Sequence, residues 1–216
     1  GIGEIPKQIA ADIPKEAFQF HSEVETVSPM SVSLKTGQMH NARAVVVATD
    51  GVTAARLIDQ LPFPISNQVT CFYYSADAPP LREKSVILDG TGIGPVNNLH
   101  VVSEIVPEAA PPGKALISAS VLGDPGDSLT RLEQVVREQL QGWFGPTVQS
   151  WENLKTYSIP HGQPAQPPGT LDPLQRPVEL AGGLFVCGDH RDNASINGAM
   201  ESGRRVGEAV VKWLKG

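Results

Sequence analysis

The stretch from Leu184 to Leu214 constrains this chain more than any other. Leu184-Phe-Val-Cys187 is an apolar run of strand length, Gly188 ends it, and a polar turn runs from Asp189 to Ser195. Beyond the turn, Ile196, Ala199, Met200, Gly203, Val206, Gly207, Val210, Val211 and Leu214 recur at spacings of three and four. That period predicts one long helix with an apolar stripe. Ala199, Gly203 and Gly207 lack bulk, so the stripe can approach its packing partner closely. A short buried strand, a glycine turn and a helix make half of a nucleotide-binding α/β unit.

Upstream patterns are shorter. Ile5 to Ala11 has the spacing of a short helix, with Pro6 acceptable at its first position. Residues Ala17 to Val27 read as extended, Phe18 and Phe20 alternating as in a half-buried strand. Ser31 to Leu34, a turn at Gly37 and the run Ala44 to Ala48 predict a hairpin-like unit ending in a strand buried on both faces. A short helix is expected over Ala54 to Leu61, stopped by Pro62 and Pro64. Four β-rich runs then follow: Val69 to Tyr74, Ser85 to Leu88, Leu99 to Val102 and Ala115 to Val121. Gly and Pro clusters separate them, which predicts a mainly antiparallel sheet. A helix over Ser128 to Leu140 places Leu129, Leu132, Val135, Val136 and Leu140 on one face, with Asp127 or Ser128 as its cap. Trp151 to Ile159 reads as a further strand before a Pro-rich loop from Pro160 to Pro177.

Composition excludes several functions. A formal net charge of −6 with no Lys/Arg cluster argues against nucleic acid as a partner. Cys71 and Cys187 each sit in apolar runs, which favours buried thiols over a disulfide, and without a Cys-x-x-Cys pair no zinc site has a starting point. His190 beside Asp189 and Asp192 reads as a polar turn, so no metal is expected. No Gly-x-Ser-x-Gly elbow or Ser/His/Asp arrangement points to a hydrolase, and no general base can be named. Gly90-Thr-Gly92-Ile-Gly94 imitates a dinucleotide fingerprint, but Pro95 follows and no helix does, so it reads as a loop between strands. No signal pattern and no run of about 20 apolar residues is present. The expected location is cytoplasmic, with peripheral membrane contact left open.

The order Gly188-Asp189, Gly198-Ala199, Ser202-Gly203 resembles the C-terminal flavin-binding motif of flavin-containing amine oxidases, protoporphyrinogen oxidases and phytoene desaturases. Residues 1–60, with Val24-Glu-Thr-Val27 and the Ala44 to Asp50 strand, are similar to the same superfamily's middle segment. The resemblance implies an FAD-dependent oxidoreductase and a mixed α/β fold. Residues 1–62 and 176–216 would form part of an FAD-binding domain, and 63–175 a substrate-binding domain with a mainly antiparallel sheet. It also implies cofactor contacts at Val24 (through its backbone), Gly188, Asp189, Asn197, Gly198 and Ala199, with no catalytic side chain. The family's Gly-x-Gly-x-x-Gly unit has no counterpart here. The chain, which opens at Gly1 without Met, is therefore expected to be the C-terminal portion of a longer protein that would not hold FAD tightly alone. Its partners would be a small-molecule substrate, lipophilic ones included, and the missing N-terminal segment of the same protein. From the residues themselves a plainer role stays open: Asp189 as a turn cap and Gly198 and Ala199 as packing choices. A non-catalytic scaffold that kept the fold is the alternative function.

Overall fold

Val45-Val-Val47 and Leu184-Phe-Val186 lie side by side as parallel strands although most of the chain separates them. In the computed structural model, which describes residues 1–124, 126 and 128–216, the chain divides into two units. Residues 1–63 and 169–216 form the first, and residues 64–168 form the second. The return to the first unit thus comes at Gly169, ahead of the expected position 176. One reason is Arg176, whose guanidinium donates to the carbonyls of Thr170 and His190 and so ties the segment after Gly169 to the last quarter of the chain.

The first unit begins with α1 (Glu4–Ala11), which buries no residue. Phe18 and Phe20 follow a 3₁₀ turn and do not enter a strand; they stack on each other at 5.7 Å, with Phe20 74% exposed. The expected strand starts only at β1 (Val24–Ser28), which pairs antiparallel with β2 (Ser31–Leu34), and β2 pairs with β3 (Met39–Asn41). Gly37 turns β2 into β3 at φ +83°, a conformation that glycine adopts without strain. A second sheet has the order β10 (Glu179–Ala181), β11 (Leu184–Val186), β4 (Val45–Val47), with β4 at the edge. Val45 and Val47 are buried, but Val46 is 39% exposed, so β4 is not buried on both faces as its composition suggested. Helix α2 (Gly51–Leu57) starts earlier than expected because the Asp50 carboxylate accepts from the Val52 and Thr53 N–H groups. Helix α5 (Ile196–Lys215) follows a 3₁₀ turn at Asp189–Arg191.

Only part of the predicted α5 stripe is buried. Gly198, Ser202 and Val206 are the buried residues, while Ile196, Met200 and Val211 are exposed and Gly203 and Gly207 face open space. The helix is rotated so that Val206, with Ala209 and Val210, closes on Phe185, Cys187 and Val178. A second cluster joins Val45, Val47, Leu184 and Val186 to Ala54, Ala55 and Ile58 of the α2 region.

In the second unit β5 (Ser66–Ala76) is flanked by β8 (Ala115–Leu122) and β9 (Glu152–Pro164), and β7 (Val96–Val101) and β6 (Ile87–Leu88) extend the sheet beyond β8. Every pairing is antiparallel. The Gly90–Gly94 segment is a connection between β6 and β7, and β9 runs through Pro160 to Pro164, into the expected loop. A short helical turn, α3 (Val102–Ile105), precedes β8. Helix α4 (Leu129–Phe144) is capped by Ser128, whose hydroxyl accepts from Arg131 N–H; Asp127, the other candidate, lies outside the described residues. Leu132, Val136 and Leu140 enter the core with Phe72, Tyr74, Leu99, Ile117 and Trp151, whereas Leu129 and Val135 at the margins of the predicted face stay exposed.

Candidate functional site

The parallel pair β4 and β11 ends with both C-termini at one edge, where an open α/β sheet offers a ligand crevice. Thr49 and Asp50 follow β4, and Gly188, Asp189 and His190 follow β11. Gly188 sits at φ +147°, ψ 170°, a region open essentially to glycine. A Cβ there would stand 2.6 Å from the His190 ring and 3.1 Å from the Thr49 carbonyl oxygen. The missing side chain thus brings the two strand ends and the imidazole together.

Ser202, wholly buried on α5, fastens this turn to the helix. Its hydroxyl oxygen accepts from Gly188 N–H at 2.9 Å, with the Gly188 and Ala199 carbonyls at 2.9 and 3.0 Å as acceptors for its proton. Ser195 caps α5 by accepting from Gly198 N–H at 3.0 Å, and its own hydroxyl bonds to the Asn193 side chain. Gly198 is needed for a reason internal to the fold: a Cβ would come within 2.0 Å of the Asn193 carbonyl oxygen. Asn197 and Ala199 are exposed on the same first turn, where Asn197 N–H has no intrahelical acceptor by its position.

The electrostatics follow from burial. Asp189 is partly buried and its carboxyl is pushed up, by desolvation first and then by the neighbouring Asp50 charge. Asp50 is held low by the Thr53 and Val52 donors that it caps, which outweigh its own partial desolvation. The His190 ring is 8% exposed, and burial, aided by the Arg191 charge, pushes its pKa down to about 4. Although Nδ1 lies 3.9 Å from an Asp189 oxygen, the imidazole is therefore neutral at pH 7 and the pair is not an ion pair. Both ring nitrogens are buried without a hydrogen-bond partner.

Behind the turn, Arg205 pairs with buried Asp192 at 2.7 Å and donates to the Arg176 carbonyl. Buried Arg191 donates to the Pro177 carbonyl at 2.6 Å. Arg204, one residue earlier, instead bridges Glu201 and Glu208 on the exposed side of the helix. A buried Asp–Arg pair thirteen residues apart across a turn has no periodic signal.

Gly188, Asp189, Gly198, Ala199 and Asn197 are thus gathered around one strand end and one helix start. Val24 stands apart in the β1–β3 sheet, connected to this region through α2, which packs beside β1. Trp151 is a core residue of the second unit, while Tyr157 and His161 lie exposed on β9. Among the described residues no group of three His, Cys, Asp or Glu side chains has the spacing to hold a metal ion. No helix among them is long and apolar enough to cross a membrane.

The sequence profile of flavin-containing amine oxidoreductases matches residues 1–211. The chain belongs to the flavin-containing amine oxidoreductase family. FAD is accordingly the cofactor of the family to which this strand-end site belongs. The glycine-cleared strand end, the unpartnered imidazole and the open first turn of α5 fit such a group. Solved structures share the fold. Cyclohexylamine oxidase from Brevibacterium oxydans superposes with a TM-score of 0.72 at 17% identity, over 100% of this chain and 53% of its own. A putrescine oxidase double mutant gives 0.70 at 13%, over 98% and 53%. An oxidoreductase from Methanosarcina mazei gives 0.65 at 20%, over 87% and 48%. The chain therefore spans about half the length of the solved structures that it matches. A search of curated protein sequences gives no match.

Proposed function

We propose that this chain is the C-terminal portion of an FAD-dependent oxidoreductase in which a hydride passes from substrate to flavin. The donor carbon would lie beside an amine nitrogen or at an allylic or polyene position. When bound, the isoalloxazine ring supplies the two-electron acceptor. The chain's own residues bind and orient. Gly188 leaves the strand end open to close approach, and Asp189 accepts hydrogen bonds from cofactor hydroxyls. The first turn of α5, at Asn197, Gly198 and Ala199, sets backbone N–H groups and the positive end of its dipole against developing negative charge. Val24 contributes through its backbone, toward the adenine end. No side chain of this chain is assigned as acid or base. The second unit is the substrate-binding part, its ligand a small molecule, and the fingerprint-bearing segment comes from the rest of the polypeptide.

The observation that carries this reading is the convergence of Gly188, Asp189 and the α5 N-terminus at the end of a parallel strand pair, in a chain of this family. The test is the absorbance spectrum of the protein expressed from its complete open reading frame. Flavin bands near roughly 375 and 450 nm are expected, as the oxidised ring's own absorption. Asp189→Ala should lower flavin occupancy. A colourless protein that takes up no added FAD would overturn the proposal and leave a non-catalytic scaffold.

A further inference from the structure

Three arginines meet behind the Gly188 turn. Arg176 N–H donates to the Arg191 carbonyl, and Arg205 Nη1 donates to the Arg176 carbonyl. The segment after Gly169, the turn and α5 are thereby tied at one place. The guanidiniums lean chiefly on backbone: Arg176 donates to the Thr170 and His190 carbonyls, and Arg191 to that of Pro177. One carboxylate, that of buried Asp192, is paired with the group, through Arg205 at 2.7 Å. Among the described residues neither Arg176 nor Arg191 forms an ion pair.

Arg191 is the member least easily explained by folding alone. It is 7% exposed, and a charge taken that far out of water is as a rule paired. The charges that act on it are those of Arg176 and Arg205, both of its own sign, and with burial they push its pKa down. Arg191 Nε and Arg205 Nε are buried without a hydrogen-bond partner. Three cations thus face one anion, and the carbonyls that occupy their other donors carry no net charge to offset the surplus. Guanidinium forks match the paired oxygens of phosphate and carboxylate groups. A phosphate dianion balances this surplus, whereas a carboxylate leaves half of it. Arg176 is only half-buried and borders the exposed segment Leu171–Gln175, which leaves an approach from solvent.

We infer that Arg176, Arg191 and Arg205 form a binding site for a dianionic oxyanion of the phosphate class, as the free ion or as a phosphate monoester. The inference is read from the charges of this chain and does not rest on the flavin assignment. The probe is inorganic phosphate in its dianionic form. It is titrated at constant ionic strength into the protein expressed from its complete open reading frame, with binding read by calorimetry. Saturable binding to one site is expected, and chloride should not compete. Arg191→Gln should weaken it about ten-fold, the worth of one charge-assisted contact. Arg176→Gln should do the same at a half-buried position, where loss of folding is not at issue. Arg191→Lys should recover part of the affinity, since the charge returns without the fork. Asp192→Asn removes the one carboxylate at nearly the same shape and should tighten binding. Arg204→Gln, on the exposed side of the helix, should leave it unchanged.

No saturable binding in the full chain would overturn the inference and assign the counter-charge to an acidic side chain elsewhere in the polypeptide. An equal loss in Arg204→Gln would overturn it as well, as diffuse surface attraction. The titration is repeated after addition of FAD. Unchanged phosphate binding supports the site, and displacement of phosphate by FAD would overturn the inference in favour of the cofactor's own diphosphate. Phosphate binding by a colourless protein would remove the flavin reading and leave this site standing; a flavin-loaded protein without it would do the reverse.

Discussion

The second unit wraps one sheet around one helix and gathers Phe72, Tyr74, Leu99, Ile117, Leu140 and Trp151 into a single core. The first spreads a comparable length of chain over two three-stranded sheets and two separate small cores. Its α1 buries nothing, and one side of α5 stays open. The candidate cofactor site belongs to this leaner unit, whose strand end is held by glycines, a serine hydroxyl and ion pairs more than by apolar bulk. Buried apolar area scales with stability, so the second unit should be the more self-sufficient fold and the first the one that gains most from a ligand.

The largest effect expected from any single change lies in the second unit. Phe72→Ala empties a fully buried ring position and should cost about 3–5 kcal/mol. Trp143 and Trp151 report on that unit and Trp213 on the other, so urea melts of Trp213→Phe and wild-type chains can follow the units apart. Equal loss in both transitions would break the distinction between the units.

In the first unit the strongest lever is pH. Folded, His190 takes a proton only near pH 4, while in the unfolded chain it does so near the usual value of about 6.5. Between these values the unfolded state binds more protons. Stability is therefore complete above pH 6.5 and is lost as pH falls toward 4, by up to about 3 kcal/mol. The raised Asp189 has the opposite sign, since its native form holds the proton more tightly, and it offsets part of that loss at the acid end. His190→Phe should flatten the profile of melting temperature against pH; an unchanged slope would mean that His190 is not the group responsible.

Gly188→Ala should cost about 1–3 kcal/mol in backbone strain alone, with the His190 ring displaced in addition. Denaturant midpoints would read the cost, and a neutral result would show that the strand end is looser than its geometry indicates. Asp50→Ala removes the α2 cap and should cost about 1 kcal/mol by the same measurement. If it costs as much as Phe72→Ala, the capping of α2, and not its small core, holds the first unit together.

Legibility differed between the units in the same way. The β-rich runs of the second unit became strands at nearly their expected places because period-two patterning and Gly/Pro punctuation are local signals. Phe18 and Phe20 misled because alternation alone does not supply a pairing strand, and Val46 because an apolar run does not reveal that its strand is an edge. Gly188, Asp189 and the start of α5 were visible as a motif. The burial of His190 and the Arg205–Asp192 pair were not, since both depend on segments folded back from elsewhere in the chain.

By itself, then, the sequence determined the order strand, glycine, polar turn, helix at Leu184–Lys215, and the antiparallel character of residues 66–164. Hydrophobic period and turn chemistry act within a few residues, and no distant partner is needed to express them. Tertiary structure alone decided which side of α5 is buried, by placing Ser202 under Gly188, and it paired Val45 with Leu184. It also decided that Tyr73, Ser118 and Lys155 share one face. Each of these depends on register between segments far apart in sequence, where a shift of one residue would turn every side chain to the opposite face.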